Sequence, residues 1–589
     1  MKNPLEYYKE HSEIYRLKAR SCNKRMTSLS LLRLLVFVLT GLGIYIAFNI
    51  WQLTVAITII GIIIFLKLLS RYTDVKYKKA FNEALVKINE DEIKIASGDF
   101  HDRDKGEPFQ EPNHFYSLDI DLFGRGSFFQ FINRTTIKEG TETLAFLLKE
   151  NNIKEIPIRQ KAIEELSKKV EWRQHYAATS SLVKVETPAI DIVYWLKNYH
   201  TFLPNFAKWL PPVFTAFTLV LLGLTLTNLL EISFIGYWLL VGLAFTGRYI
   251  KKINALSLHT DKVKDTFRQY AQLLQLIESE TFSSELLIKK QKQIKSETKE
   301  ASIIFKELSR ALDALDNRNN IIGAIFGNGY FLTDIKNSYR IEKWIKKYAN
   351  KVEDWFEVVS FFDAYNSLGN YAFNHPEHMY PEILENNIVI KATGLGHPLL
   401  DKSKRIDSDL IIESEQFFIV TGANMAGKST FLRTVSLHIV MANVGLPICA
   451  KTSQYTPVKL ITSMRTTDSL TDDSSYFFSE LTRLKFIVDT INREPYFIVL
   501  DEILKGTNST DKAIGSKKFV EKLVTSKATG IIATHDLNLC EIEKQLDDVK
   551  NYYFDAEIIN DELHFDYKLK KGICQNMNAS FLLKKMDIV

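Results

Sequence analysis

The sequence predicts a multidomain protein: two transmembrane helical hairpins, an all-α core with lever-like helices, and a C-terminal α/β domain. Three observations predict it. Two long stretches, within 31–69 and 209–249, are almost free of charged side chains. The segments around them carry apolar residues at three- and four-residue steps, and near Ile388 short β-branched runs separated by glycine take over. A chain of 589 residues can hold several cores, and 46% hydrophobic against 25% charged residues excludes a disordered polymer. The net charge of +5 neither demands nor forbids a nucleic-acid partner, because a basic groove can sit within a balanced total. Cys22, Cys449, Cys540 and Cys574 lie far apart, so neither a disulfide framework nor a zinc knuckle is expected. No two histidines are expected to form a ligand cluster.

Residues 1–30 read as a cytoplasmic N-terminal segment. From Leu34 to Leu66 no side chain is charged, and Asn49-Ile50-Trp51-Gln52 reads as the turn of a first hairpin, 31–69. In the second, expected over 209–249, the apolar stretch from Trp209 to Gly247 has one charge, Glu231, beside Asn228 in its own turn. Each half, at about 16–20 residues, crosses a bilayer once flanking residues are counted. Arg16, Lys18, Arg20, Lys24, Arg25 and Arg33 precede the first hairpin, and Lys67, Arg71, Lys76, Lys78 and Lys79 follow it. Lys208 precedes the second, and Arg248, Lys251 and Lys252 follow it. Neither turn holds Lys or Arg, so both are expected outside and the long segments in the cytoplasm. That is a multi-pass protein, expected in a bacterial inner membrane and held by four helices. Residues 70–113 read as a juxtamembrane linker, 114–208 as the first part of a helical core, and 250–385 as its second part with the levers. An α/β domain follows over 386–589.

The strongest motif lies in that domain. Phe417-Phe418-Ile419-Val420-Thr421 is a β-run leading into Gly422-Ala423-Asn424-Met425-Ala426-Gly427-Lys428-Ser429-Thr430 and then a helical segment. A G-x-x-x-x-G-K-S loop between strand and helix turns successive backbone N–H groups toward phosphate oxygens. The helix N-terminus adds partial positive charge. Lys428 is expected to reach the β- and γ-phosphates of ATP, and the Ser429 hydroxyl to ligate Mg²⁺. A second strand, Tyr496–Leu500, ends at Asp501-Glu502. Asp501 is placed for the Mg²⁺ shell and Glu502 for orienting or deprotonating the attacking water. A third, Gly530–Thr534, ends at His535, a candidate γ-phosphate sensor. The domain is therefore an expected P-loop NTP hydrolase.

In this order the residues resemble the MutS family. Asn424-Met425 between the glycines, Leu500–Asp511, Ala533-Thr534-His535 and Ser475–Leu481 are each similar to segments of that family. More faintly, so are 133–144, 158–163, 362–368, Gly396-His397-Pro398 and 567–583. The resemblance implies an ABC-type ATPase fold and a homodimer through the ATPase domains, with Ser475 completing the partner subunit's nucleotide site. It also implies double-stranded or branched DNA as a partner, in mismatch repair or recombination. Departures qualify it. The family's N-terminal mismatch-reading domains have no room here, Arg405 replaces an aromatic and Tyr567 a histidine at the expected adenine pocket, Ala426 replaces a glycine, and Lys505 an arginine. The expectation is a membrane-anchored ATPase whose cycle rearranges helical levers. The alternatives are a membrane-coupled ABC-like motor or transporter, and an ATP-switched scaffold that binds no DNA.

Overall fold

The computed structural model describes residues 3–183, 187–295, 299–316, 318, 320–423, 425–465, 476–559 and 562–575. Its N-terminal part is one long antiparallel pair, α1 (Pro4–Ile46) and α2 (Trp51–Ala96), closed by a short turn. Pro4 opens α1 one residue after Asn3, whose side chain accepts the Leu5 N–H and so caps the first turn. Beyond about residue 31 the pair is apolar and outward-facing: Leu31, Phe37, Tyr45, Trp51, Ile60 and Ile63 are all exposed. Among the described residues, α1 and α2 are the two helices long and apolar enough to cross a membrane.

The expected linker over 70–113 is corrected in its first half, because α2 runs unbroken through it to Ala96. Its charges misled the reading for a physical reason. The stalk is buried only along a narrow stripe, Leu85, Asn89, Glu92 and Ile95, so most of its surface faces water and carries Lys and Glu. That stripe docks on the helical core. Glu92 pairs with Arg134 and accepts from the amides of Asn370 and Asn374, each at 2.9 Å, while Tyr8 on α1 donates to Asn374 at 2.6 Å.

The core is built from α3 (Phe128–Ile132), α4 (Lys138–Lys149), α5 (Ile156–Lys168), α6 (Val170–Ser181) and α7 (Ala189–Lys197). Then come α8 (Leu210–Leu226), α9 (Ser233–Ser279), α10 (Glu285–Ile294), α11 (Ala301–Asp316), α12 (Ile321–Phe331) and α13 (Thr333–Asn374). At 42 residues α13 spans about 63 Å and forms the axis of the helical part. Near its middle Phe356 packs with Phe267, Tyr270 and Phe305. Nearer its C-terminus Asp363 accepts the backbone N–H groups of Thr136 and Ile137 at 2.9 and 3.1 Å, capping α4 from outside. The segment 250–385, expected as the second part of the helical core with the levers, contains an apolar helix, α12, with no charged side chain.

The C-terminal part has two sheets. β1 (Glu382–Ile383), β2 (Ile388–Leu395), β3 (Ser408–Glu413) and β5 (Thr452–Tyr455) make a small one, in the order β1-β5-β2-β3. The larger follows the order β10-β9-β4-β8-β7-β6, from β4 (Phe417–Gly422), β6 (Lys459–Ser463), β7 (Tyr496–Asp501), β8 (Thr529–Ala533), β9 (Val549–Ile559) and β10 (Glu562–Lys571). All but β10 run parallel, and β4, β7 and β8 are apolar and buried, as a sheet covered on both faces requires. Helices α14 (Lys428–Val444), α15 (Tyr476–Ile491) and α16 (Ser509–Thr525) complete the domain. Its β6 edge is tied to the helical core: Thr462 donates its hydroxyl to Asp119, and Arg483 donates to the carbonyls of His114 and Phe115.

Candidate nucleotide site

Strand register brings the candidate residues together. Val420 on β4 is paired with Ala533 on β8, and Ala533 with Asp501 on β7, so three strand ends lie in one row. The chain leaving each strand therefore opens on the same crevice, where parallel sheets bind ligands. After β4 the loop turns into α14 through Gly427, whose φ of 105° suits a residue without a Cβ. Two hydrogen bonds lock the other exits: Glu502 N donates to Ala533 O at 2.9 Å, and Thr534 N to Val420 O at 3.0 Å.

Lys428, only 6% exposed, folds back over the loop. Its Nζ donates to the carbonyls of Gly422 at 2.8 Å and Ala423 at 3.0 Å, and lies 3.2 Å from His535 Nε2. Burial lowers its pKa, an effect that the carboxylates of Glu502 and Asp501 oppose. The Ser429 hydroxyl donates to Asp501 Oδ2 at 2.7 Å. Two adjacent oxygens of this kind suit a hard divalent cation such as Mg²⁺. Burial raises the Asp501 pKa, so the carboxylate gains from a cation beside it. Glu502 Oε1 lies 2.9 Å from His535 Nε2. That hydrogen bond is the main reason its carboxyl is held down at about 2, against the opposing effect of burial.

A cavity of about 660 Å³ adjoins this cluster. It is lined by Ala423, Met425, Gly427, Lys428, Ser429 and Thr430 from the loop and helix, and by Asp501, Glu502, Lys505 and His535. Arg405 and Tyr567 line it too, so the two expected base contacts do share one space with the phosphate loop. Arg405 is fixed by Asp407 at 2.6 Å, and Tyr567 lies close enough to Gly427 that a Cβ there would sit 3.2 Å from its ring. Gly422 and Ala426 belong to the buried floor of the loop. Asn424 and Ser475 lie outside the described residues. Sequence reasoning missed His397, Leu400, Ile406 and Phe431 as cavity walls. Phe431 could have been found, since it follows the Gly-Lys-Ser-Thr run by one residue. A correction concerns histidine: His375, Glu377 and His378, at the end of α13, bring ligand-capable atoms within 4.8 Å of one another.

Residues 418–584 match the family profile described as MutS domain V. The C-terminal domain is homologous to MutS proteins. Over 234 residues the chain is 34% identical to human MutS protein homolog 4, covering 38% of this chain and 24% of that protein. Over 242 residues it is 28% identical to DNA mismatch repair protein MutS of Clostridium tetani, covering 39% and 27%. The MutS of Aquifex pyrophilus is 31% identical over 198 residues, covering 33% and 23%. The chain thus spans about a quarter of the length of these relatives. The matched domain V begins inside β4 and includes Lys428, Ser429, Asp501, Glu502, His535 and Tyr567, while Arg405 and His397 precede it.

Proposed function

We propose that this chain is a membrane-anchored, Mg²⁺-dependent ATPase whose nucleotide cycle moves the helical levers. The observation that carries the reading is the convergence of Lys428, Ser429, Asp501, Glu502 and His535 on one crevice beside a cavity of about 660 Å³. In it the loop amides and Lys428 hold the phosphates of ATP. Ser429 and Asp501 hold the cation, which offsets phosphate charge. Glu502 draws a proton from the attacking water, and His535 keeps that carboxylate ionised and aimed. Arg405 and Tyr567 flank the base. Two such domains pair, with Ser475 of one reaching the nucleotide of the other. α1, α2, α8 and the first part of α9 lie in the bilayer, with the ATPase domain on the cytoplasmic side. Uncovered apolar surface on this scale is costly in water, which supports a lipid setting.

The test is phosphate release from ATP by the full chain in lipid nanodiscs. Turnover that requires Mg²⁺ and vanishes in Lys428→Ala is expected, and turnover equal in both chains overturns the assignment. Mixing Lys428→Ala with Ser475→Ala chains tests shared sites: partial recovery of activity is expected, and none argues against the shared dimer.

Binding to duplex or branched DNA is a second reading. Relatives are named as mismatch-repair proteins, and a groove of about 520 Å³ between α11 and α13 is lined by Lys299, Arg310, Arg340, Lys343 and Lys347 with Glu307. Phosphate-directed binding would weaken steeply with salt. Affinities for homoduplex, mismatch and junction DNA across a salt series decide it, and absent or salt-insensitive binding favours the scaffold.

A further inference from the structure

The helix α12 resembles neither a lever nor a soluble core element. Its eleven residues, Ile-Ile-Gly-Ala-Ile-Phe-Gly-Asn-Gly-Tyr-Phe, hold no charge and span about 16 Å, half the hydrocarbon thickness of a bilayer. One face is uncovered: Ile321 is 73% exposed, Ile322 69% and Phe326 52%. The other face is fitted to α8 and α9. A Cβ on Gly242 would overlap the carbonyl of Gly329, and one on Gly329 would overlap the Leu239 side chain, so the two backbones touch as only glycine permits. The Thr218 hydroxyl donates to Tyr330 O at 2.8 Å and itself accepts from Trp238 Nε1 at 2.8 Å. Thr218 is the ninth residue of α8, and Trp238, Leu239 and Gly242 are the sixth, seventh and tenth of α9, so the contacts fall within the apolar lengths of both helices.

The end of α12 is sealed internally. Leu332 takes a left-handed turn, with φ of 49°, and α13 starts at once. The buried Asn328 Oδ1 accepts from Asp334 N at 2.9 Å and from the Thr333 hydroxyl at 3.2 Å, while Arg318 pairs with Asp334 at 3.4 Å. At the break the Asp334 N–H and the Thr333 hydroxyl thus find their acceptor inside the protein, as a non-crossing element in hydrocarbon requires. Two turns into α13, Glu342 accepts from Phe202 and Leu203 N, just before α8 begins, so the lever leaves on the side where α8 starts.

We propose that α12 is a half-membrane helix, buried in the same lipid layer as α8 and α9 and joined without a linker to the lever α13. The inference rests on the membrane reading above. Its occupant is bilayer hydrocarbon, because α12 packs directly on α8 and α9, the apolar helices of the second hairpin, whose Phe217, Leu240 and Val241 are likewise exposed. Movement of α13 by the ATPase domain would then be delivered into one leaflet, through an element that does not span it.

The experiment uses the full chain in nanodiscs, with the half-exposed Cys22 replaced by serine. Ile322→Cys and, as a reference on α2, Ile59→Cys are labelled with an environment-sensitive fluorophore. Lipids brominated along the acyl chain should quench both, and aqueous iodide neither. Lipid quenching at residue 59 with iodide quenching at 322 overturns the α12 proposal and leaves the anchor standing. Protection of 322 from both quenchers also overturns it, since a second protein surface then covers the helix. Iodide quenching at both positions removes the membrane reading itself. Ile325→Cys repeats the measurement on the same face should the first variant not fold.

Discussion

Glu502 Oε1 lies 2.9 Å from His535 Nε2, although the two residues leave different strands. The pairing follows from the β7–β8 register and fixes the protonation state of the expected base. Glu502→Gln keeps the shape but removes the basic oxygen, so ATP binding should persist while turnover falls about 10²–10⁴-fold. Single-turnover hydrolysis with parallel nucleotide-binding measurements checks this, and near-normal turnover would show that another group takes the proton.

His535→Ala acts on the same pair from the other side. Without the imidazole, Glu502 loses the main influence holding its carboxyl at about 2 and moves toward the ordinary glutamate range. The base is competent only when ionised, so the acid limb of the pH–rate profile should shift to higher pH in the variant. An unmoved acid limb would mean the hydrogen bond does not set this group.

Arg405→Ala tests the wall of the cavity that the sequence could only guess. The side chain is held by Asp407 at 2.6 Å and takes no part in the carboxylate–imidazole cluster. Losing it should raise KM for ATP several-fold and leave kcat nearly unchanged, the pattern of lost uniform binding. A fall in kcat with KM constant would place Arg405 in the chemistry.

What was legible differs between the parts for a physical reason. In the α/β domain the chemistry is local. The expected phosphate loop sets its glycines and lysine at fixed spacing, at Gly422, Gly427 and Lys428, and buried parallel strands need unbroken apolar runs such as Phe497–Leu500, so both show in one dimension. The cavity walls His397 and Ile406, from the loop between β2 and β3, and Phe431, from α14, meet only through tertiary packing. The stalk half of α2 was unreadable because a helix buried on one narrow stripe looks like a polar linker. α12 escaped because eleven apolar residues interrupted by three glycines and Asn328 fall below the length of a membrane span.

The last prediction concerns the joint between stalk and core, where Glu92 is buried among Arg134, Asn370 and Asn374. Burial alone would push its carboxyl up, yet the Arg134 guanidinium and the hydrogen bonds outweigh it and hold the pKa below the ordinary value. A depressed folded-state pKa means the ionised form is favoured by folding. The contribution is therefore present in full above the ordinary glutamate range and is lost as pH falls through the lowered value. Glu92→Gln removes the charge and leaves Arg134 uncompensated, a change that costs about 3–5 kcal/mol in buried pairs. Thermal unfolding in nanodiscs should show a lower midpoint at neutral pH, with the gap to the unaltered chain closing as the buffer is acidified. A gap that stays constant with pH would mean that Glu92 acts there by shape rather than by charge.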